Sequence, residues 1–151
     1  MTNESSPSSR FWADLSTRQF AQRQASGLAA QTVAVLPVAA IEQHGPHLPV
    51  SVDTTLVDAV VAASLPHLSA DLPVLFLPTQ AIGKSNEHIR FPGTLTLSAE
   101  TLIRVWMEIG ESVARAGVRK LVLLNSHGGQ VSVMDIVARD LRSKCELIRC
   151  V

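Results

Sequence analysis

The sequence contains little cysteine and carries no net charge. Its two cysteines, Cys145 and Cys150, stand five positions apart, a spacing that fits neither a disulfide framework nor the C-x-x-C pattern of zinc and redox sites. We expect both to be reduced structural thiols. Thirteen basic residues balance thirteen acidic ones, for a formal charge of +0. Since no long-range field attracts a polyanion, nucleic-acid binding is disfavoured.

Long apolar runs and a secretory signal are also missing. The longest apolar segments, at 33–41 and 59–63, fall well short of the roughly 20 residues that a membrane span needs. The first ten residues are polar and rich in serine, without the apolar core of a signal peptide. We therefore expect a cytoplasmic protein with a disordered tail at 1–10, no membrane partner and, because its charge is low, some tendency to self-associate.

The sequence contains enough apolar residues for one domain, and predicted strands and helices alternate along it. Hydrophobic residues make up 46% of the 151 positions, enough for a single core. Apolar runs predict buried strands at 32–40, 73–78 and 121–124, and a fourth strand begins within 146–151. Helical patterns separate them, which predicts an α/β fold whose parallel sheet is covered on both faces. Nothing follows to cover the last strand, so we expect 11–151 to be the N-terminal part of a larger domain.

For two of the predicted helices, the sequence also predicts the capping residue and features of the packing. The helix that follows the first strand should be capped by Asp53 or Thr54 and end at Pro66. Its apolar face should comprise Leu56, Val57, Val60, Val61 and Ala63. The helix at 98–117 should be capped by Ser98, and its internal Gly110, which costs about 1 kcal/mol relative to alanine, indicates a close packing neighbour.

Two polar segments follow predicted strand ends, where the functional crevice of an open α/β sheet lies. The first runs from Glu42 to Asp53 and includes His44, and the second, 125–130, includes His127. In an extended chain Glu42 and His44 point to the same side. Asp53, at the start of a helix, can offer both oxygens outward.

This set of side chains suits a transition metal. Two histidines and two carboxylates favour Zn²⁺, Mn²⁺ or Fe²⁺ over Ca²⁺ and Mg²⁺, which prefer oxygen ligands. Pro46 and Pro49 stiffen the first segment and lower the entropy cost of holding ligands. Two other interpretations stay open. Each residue taken singly fits a hydrogen-bonded structural role, and the N–H groups of Gly128 and Gly129 could cradle an anion at a helix N-terminus, although the sequence has no Walker lysine and no G-x-G-x-x-G.

Three sequence blocks resemble one known family, the creatininase (creatinine amidohydrolase) family. The first is V-A-A-I-E-Q-H-G-P-H-L-P at 38–49 with the D-T pair at 53–54, and the second lies at 83–98. The third is N-S-H-G-G-Q at 125–130, where Ser126 and Gln130 replace the family's usual glycine and asparagine. Together the blocks cover about 33–143.

The resemblance implies a three-layer α/β/α fold, a symmetric oligomer such as a hexamer, and two divalent ions per active site (Zn²⁺, Mn²⁺ or Fe²⁺). Glu42 and His127 would ligate one ion, His44 would ligate the other, and Asp53 would bridge them. The implied reaction is hydrolysis of a C–N amide bond in a small or cyclic amide by a metal-bound hydroxide.

The resemblance also implies supporting residues and a missing block. His47 would brace the loop outside the metal ligands. Further candidates for the pocket or its surroundings are Ser85, Glu87, His88, Gly128 and Gly129, although Glu87 and His88 could be purely structural. The family's later H-A-G-x-x-E block, which supplies a further glutamate ligand and the expected proton-transfer group, does not occur in this sequence. The chain is therefore either part of an amidohydrolase or a truncated, non-catalytic remnant that acts as an assembly or binding module.

Overall fold

Four strands and five helices alternate along the chain. The computed structural model describes residues 9–145 and 147–150. The strands are β1 (Val33–Val38), β2 (Val74–Phe76), β3 (Lys120–Asn125) and β4 (Ile148–Cys150). The helices are α1 (Thr17–Ala25), α2 (Leu28–Gln31), α3 (Val52–Ser64), α4 (Ala99–Arg115) and α5 (Val131–Cys145). Single turns of 3-10 helix lie at Trp12–Asp14, Leu65–His67, Asn86–His88 and Gly128–Gln130.

The strands form one parallel sheet in the order β2-β1-β3-β4. β1 is central and pairs with β3 along its whole length, so that Val38 lies opposite Asn125 at their carboxyl ends. The predicted α/β fold with a parallel sheet is confirmed. Since both polar segments begin just beyond this pair, the register brings them to one place.

Helices cover both faces of the sheet, because side chains alternate along β1. Ala34, Leu36 and Val38 belong to the larger core cluster together with side chains of α4 and α5, among them Trp106. Val33 and Val35 pack instead on a smaller cluster that includes Val61 of α3. Three layers result: α4 and α5, the sheet, and α3.

The packing of α4 on α5 confirms the expectation for Gly110. A Cβ atom added there would run into the end of the Leu141 side chain, so α5 occupies the space that any other residue would fill. Ser98 caps α4 as predicted, since its hydroxyl accepts a hydrogen bond from the Thr101 N–H at 3.2 Å.

Two expectations for α3 were wrong. The helix begins one residue before Asp53, and Ser51 takes the cap position. Only Val57 and Val61 of its expected apolar face are buried, whereas Leu56 and Val60 are each 54% exposed. The cluster beneath α3 is small and covers only a narrow stripe of the helix.

The remaining expectations concern the chain ends and the cysteines. Of the predicted tail, only Ser9 and Arg10 are described, and the Arg10 carbonyl accepts a hydrogen bond from Phe76 N–H at 2.8 Å. Cys145 is a free thiol, as expected; the side chain of Cys150 lies outside the described part. None of the described helices is long and apolar enough to cross a membrane.

Candidate metal centre

Backbone contacts fix the polar segments at the carboxyl ends of β1 and β3. Glu42 N–H donates to the Val50 carbonyl at 3.0 Å, which closes the segment between them into a loop. Ser126 joins three elements: its N–H donates to the Val38 carbonyl at 3.1 Å, and its hydroxyl donates to the Asp53 carbonyl at 2.8 Å. The side chain at 126 therefore ties the start of α3 to the ends of both strands.

Three ionisable side chains meet there: Glu42, Asp53 and His127, which are 5%, 4% and 5% exposed. One ligand atom from each lies within 4.8 Å of the others, close enough to share one ion. His127 Nδ1 is 3.1 Å from Asp53 Oδ2 and 3.4 Å from Glu42 Oε1. Burial of three such groups together is costly unless a counter-charge satisfies them.

His44 approaches the same aspartate from the other side. Its Nε2 atom lies 3.2 Å from Asp53 Oδ1, while the second oxygen, Oδ2, faces His127. Each oxygen of Asp53 is thus directed at a different imidazole. This is the arrangement in which one carboxylate can contact two cations.

One ring nitrogen of each imidazole lies beside a backbone carbonyl. His127 Nε2 is 2.9 Å from the Lys84 carbonyl, and His44 Nδ1 is 3.2 Å from the Glu42 carbonyl. A carbonyl only accepts hydrogen bonds, so these nitrogens must donate, and a neutral ring then has a lone pair on its other nitrogen. The other nitrogen of each ring faces Asp53, where a neutral ring can offer its lone pair to a cation.

One oxygen of each carboxylate has no hydrogen-bond partner among the described residues. Glu42 Oε2 and Asp53 Oδ2 are buried and accept no hydrogen bond from the described part of the chain. Burial raises the pKa of the Asp53 carboxyl above its ordinary value, although positive charge on His127 and His44 acts in the opposite direction. Unsatisfied buried oxygens of this kind suit a divalent ion that would fill their coordination.

A long loop between β2 and α4 lines the other side of the cluster. Ser85, fully buried, places its hydroxyl 3.4 Å from His127 Nε2. Glu87 lies 3.8 Å from the same nitrogen but is 41% exposed. His88 Nε2 is 3.7 Å from Glu42 Oε1, and its Nδ1 contacts the Gln43 amide at 3.1 Å. Ser85, Glu87 and His88 therefore lie around the cluster, and their role in a pocket stays a prediction.

The remaining predicted site residues differ in their placement. A Cβ at Gly129 would lie 2.6 Å from His127 Nε2 and run into Glu87, so glycine keeps this space clear. Gly128 is exposed. His47 is also exposed, and within the described residues no hydrogen bond or ion pair joins it to the cluster.

Sequence reasoning missed three contributors: Asn125, Gln130 and the carbonyl of Lys84. Asn125 accepts a hydrogen bond from His127 N–H at 3.1 Å, and Gln130 donates to Asn125 Oδ1 at 2.9 Å. The available signal was position, because both side chains belong to the same six-residue block as His127. The Lys84 carbonyl has no sequence signal, since any residue could supply it.

Comparison with known proteins gives the same family from sequence and from structure. The family profile for creatininase, described as creatinine amidohydrolase, matches residues 13–150. The mycofactocin precursor peptide peptidase of Mycobacterium tuberculosis strain H37Rv is 40% identical over 116 residues, 73% of this chain and 46% of that protein. The creatinine amidohydrolase of Pseudomonas putida is 34% identical over 137 residues, 87% of this chain and 52% of that protein.

Two solved structures have the same fold. One, titled as creatininase with Mn, superposes with a TM-score of 0.75 at 30% identity over 95% of this chain and 58% of that chain. The other, a glutamate-to-glutamine variant of creatininase titled Zn-Zn type, has a TM-score of 0.73 at 30% identity with the same coverage. The chain thus spans about half the length of the relatives that it matches.

Proposed function

This chain belongs to the creatininase family, and on that premise we propose that it holds two divalent metal ions and contributes them to hydrolysis of a C–N amide bond. The observation that carries the proposal is the position of Asp53, whose two oxygens face His127 and His44 at 3.1 and 3.2 Å. A structural ion pair would need only one of these contacts.

The donor set supports a transition metal. One ion would be held by Glu42, Asp53 and His127, and a second by Asp53 and His44. Mixed nitrogen and oxygen ligands suit Zn²⁺, Mn²⁺ or Fe²⁺, and the related structures are titled for manganese and for zinc. Because only two described side chains reach the second position, we expect the second ion to be held more weakly.

The residues of the chain prepare this site in defined ways. Glu42 and Asp53 supply buried negative charge, and the carbonyls of Lys84 and Glu42 orient the imidazoles so that their free nitrogens face inward. When bound, the ions would lower the pKa of water toward neutrality and polarise the amide carbonyl. Glu87, partly exposed beside His127, and His88, beside Glu42, are placed to contact a substrate that enters from solvent.

The substrate would be a small or cyclic amide or a short peptide, in keeping with the activities named for the relatives. We also propose that the chain forms a homo-oligomer. Apolar side chains exposed around the site loops support this assembly: Leu48, Ile89, Phe91 and Leu95.

Metal content tests the proposal first. Elemental analysis of the purified chain, followed by titration with Mn²⁺ and Zn²⁺, should find one tightly held ion per chain and a second, weaker one. His127→Ala should remove the tight ion, and His44→Ala should remove only the weak one. His47→Ala is the matched control, because this exposed histidine lies outside the cluster and its loss should change neither.

Two results would contradict the proposal. Metal content near zero in the unaltered chain would show that the cluster is an ion-pair network. Metal content equal in the wild type and in His127→Ala would place any bound ion elsewhere. Loss of amide hydrolysis on chelation, with recovery on adding back Mn²⁺ or Zn²⁺, should accompany binding; two bound ions without hydrolysis would indicate a non-catalytic binding module.

A further inference from the structure

We propose that the chain binds a phosphate group in a cavity between α1 and the segment that leads into β2, with Arg10 and Arg23 as its ligands. The cavity is lined by Val74, at the amino end of β2, whereas the candidate metal centre lies at the carboxyl ends of β1 and β3. Because the two places lie at opposite ends of the sheet, this binding does not depend on the proposed function.

The cavity has the size of a small-molecule site and an excess of positive charge. Its volume is about 340 Å³, within the range of about 300 to 1,000 Å³ that is usual for such sites. Two guanidinium groups, those of Arg10 and Arg23, and one carboxylate, that of Asp71, belong to its lining. Leu28 and Val74 contribute apolar wall. The charge balance therefore favours an anionic ligand over a cationic one.

Backbone carbonyls hold the Arg10 side chain in place. Its guanidinium donates to the Ser69 carbonyl at 2.7 Å and to the Leu72 carbonyl, and the Arg10 carbonyl itself accepts from Phe76 N–H at 2.8 Å. Two of the five N–H groups of the guanidinium are used in this way, and the others remain for a ligand. Since the side chain is already ordered, binding an anion costs little further side-chain entropy.

Arg23 of α1 lacks a partner of this kind. It is half-buried, and it makes no hydrogen bond or ion pair with the described residues. Burial, and the positive charge of Arg10 nearby, both lower the pKa of the Arg23 side chain. A half-buried charge without a counter-ion is unfavourable, and a bound anion would remove that cost.

Asp71 does not neutralise the two arginines. Its carboxylate accepts a hydrogen bond from the Ser69 hydroxyl, and no ion pair joins it to Arg10 or Arg23. The counter-ion is therefore left to a ligand from solution. Phosphate fits this place, because guanidinium groups offer paired N–H donors that match its oxygens and because it carries up to two negative charges.

NMR titration of the nitrogen-15-labelled chain with inorganic phosphate tests the proposal, with sodium chloride at the same ionic strength as the reference. The amide signals of Arg10, Asp71 and Leu72 should shift to saturation with phosphate and not with chloride. Arg23→Gln removes the charge and keeps a long polar side chain. It should raise the dissociation constant for phosphate about 10-fold or more, as expected for a lost hydrogen bond to a charged group.

Arg18→Gln is the matched control. Arg18 lies on the same helix, is exposed and does not line the cavity. The same change of charge at this position should leave the dissociation constant for phosphate unchanged. Should Arg23→Gln fail to fold, Arg23→Lys carries the comparison, because lysine keeps the charge and loses the paired donors.

Glycerol 3-phosphate, added in place of inorganic phosphate, distinguishes the two sources of the phosphate group. Tighter binding of the ester would identify the ligand as a small phosphorylated molecule whose organic part contacts the apolar wall. Equal or weaker binding of the ester would identify it as the free ion.

Four results would overturn the proposal. They are the absence of saturable phosphate binding, shifts that chloride reproduces, a dissociation constant that is equal in the wild type and in the Arg23 variant, and an equal loss of affinity in Arg18→Gln. Phosphate binding that appears only in Glu4→Gln would also overturn it. In that case the carboxylate of Glu4, which lies outside the described residues, would be the occupant of the cavity.

Discussion

The core between the sheet and its helices and the carboxyl ends of the central strands bury different kinds of side chain. Between the sheet and α4 and α5, the core is apolar, and its one buried polar group without a hydrogen-bond partner among the described residues is the neutral Trp106 Nε1. At the carboxyl ends of β1 and β3, three buried side chains are ionisable, and one oxygen each of Glu42 and Asp53 accepts no hydrogen bond from the described residues. The first region is complete in itself, whereas the second is where we propose that cations bind. Stability should therefore reside in the helical layer, and binding at the strand ends.

The largest effect on stability is expected from Trp106→Ala. Trp106 is 1% exposed in the main core cluster, and truncation of a buried aromatic costs about 3–5 kcal/mol. Urea denaturation should show this loss, while Mn²⁺ affinity measured below the transition should match that of the wild type. A large drop in affinity in the folded variant would contradict the separation of the two regions.

Metal binding should act on stability only through the strand ends. At a free Mn²⁺ or Zn²⁺ concentration 100 times the dissociation constant, the free energy of unfolding should rise by about 2.7 kcal/mol. In Asp53→Asn this gain should vanish, because both ions lose a ligand, and the metal-free variant supplies the reference stability. Thermal denaturation with and without EDTA measures both quantities, and a metal-dependent gain that persists in Asp53→Asn would place the ion elsewhere.

A smaller effect probes how tightly the helical layer is packed. In an open helix Gly110→Ala would be favourable by about 1 kcal/mol. Here the new methyl group meets Leu141, and overpacking of this kind costs about 1–3 kcal/mol, so we expect a net loss of stability.

The double variant Gly110→Ala with Leu141→Val provides the control. Because valine is shorter, the alanine substitution should cost less in this background, and the difference is the coupling energy between the two positions. Equal costs in both backgrounds, measured by urea denaturation, would show that α5 does not restrict position 110.

Much of the fold follows from sequence pattern. Continuous apolar runs predicted the buried strands, and capping residues such as Ser98 predicted helix starts, because these signals act over a few residues. The apolar face of α3 was overestimated, since local periodicity gives the direction of a stripe but not the size of the surface beneath it. Leu56 and Val60 are exposed for that reason.

The candidate site was also predictable only in part. Glu42, His44, Asp53 and His127 could be proposed from residue type and from their place after strand ends, and the structure brings them together. The network around His127 could not be predicted in this way, because Gln130 accepts a hydrogen bond from the Lys84 N–H across 46 positions of sequence, and the Lys84 carbonyl lies beside His127 Nε2. Backbone carbonyls carry no residue-specific signal, and long-range hydrogen bonds leave no periodicity.

The sequence by itself determined the order of strands and helices, the apolar core and the chemical identity of the cluster. Those properties depend on hydrophobic periodicity and side-chain chemistry, which can be read from short stretches of sequence. Only the tertiary structure decided which oxygen of Asp53 faces which histidine, which nitrogen of His127 faces the carboxylates, and which loop lies against the other nitrogen. These features depend on strand register and loop contacts, and therefore on the positions of residues that are far apart in the chain.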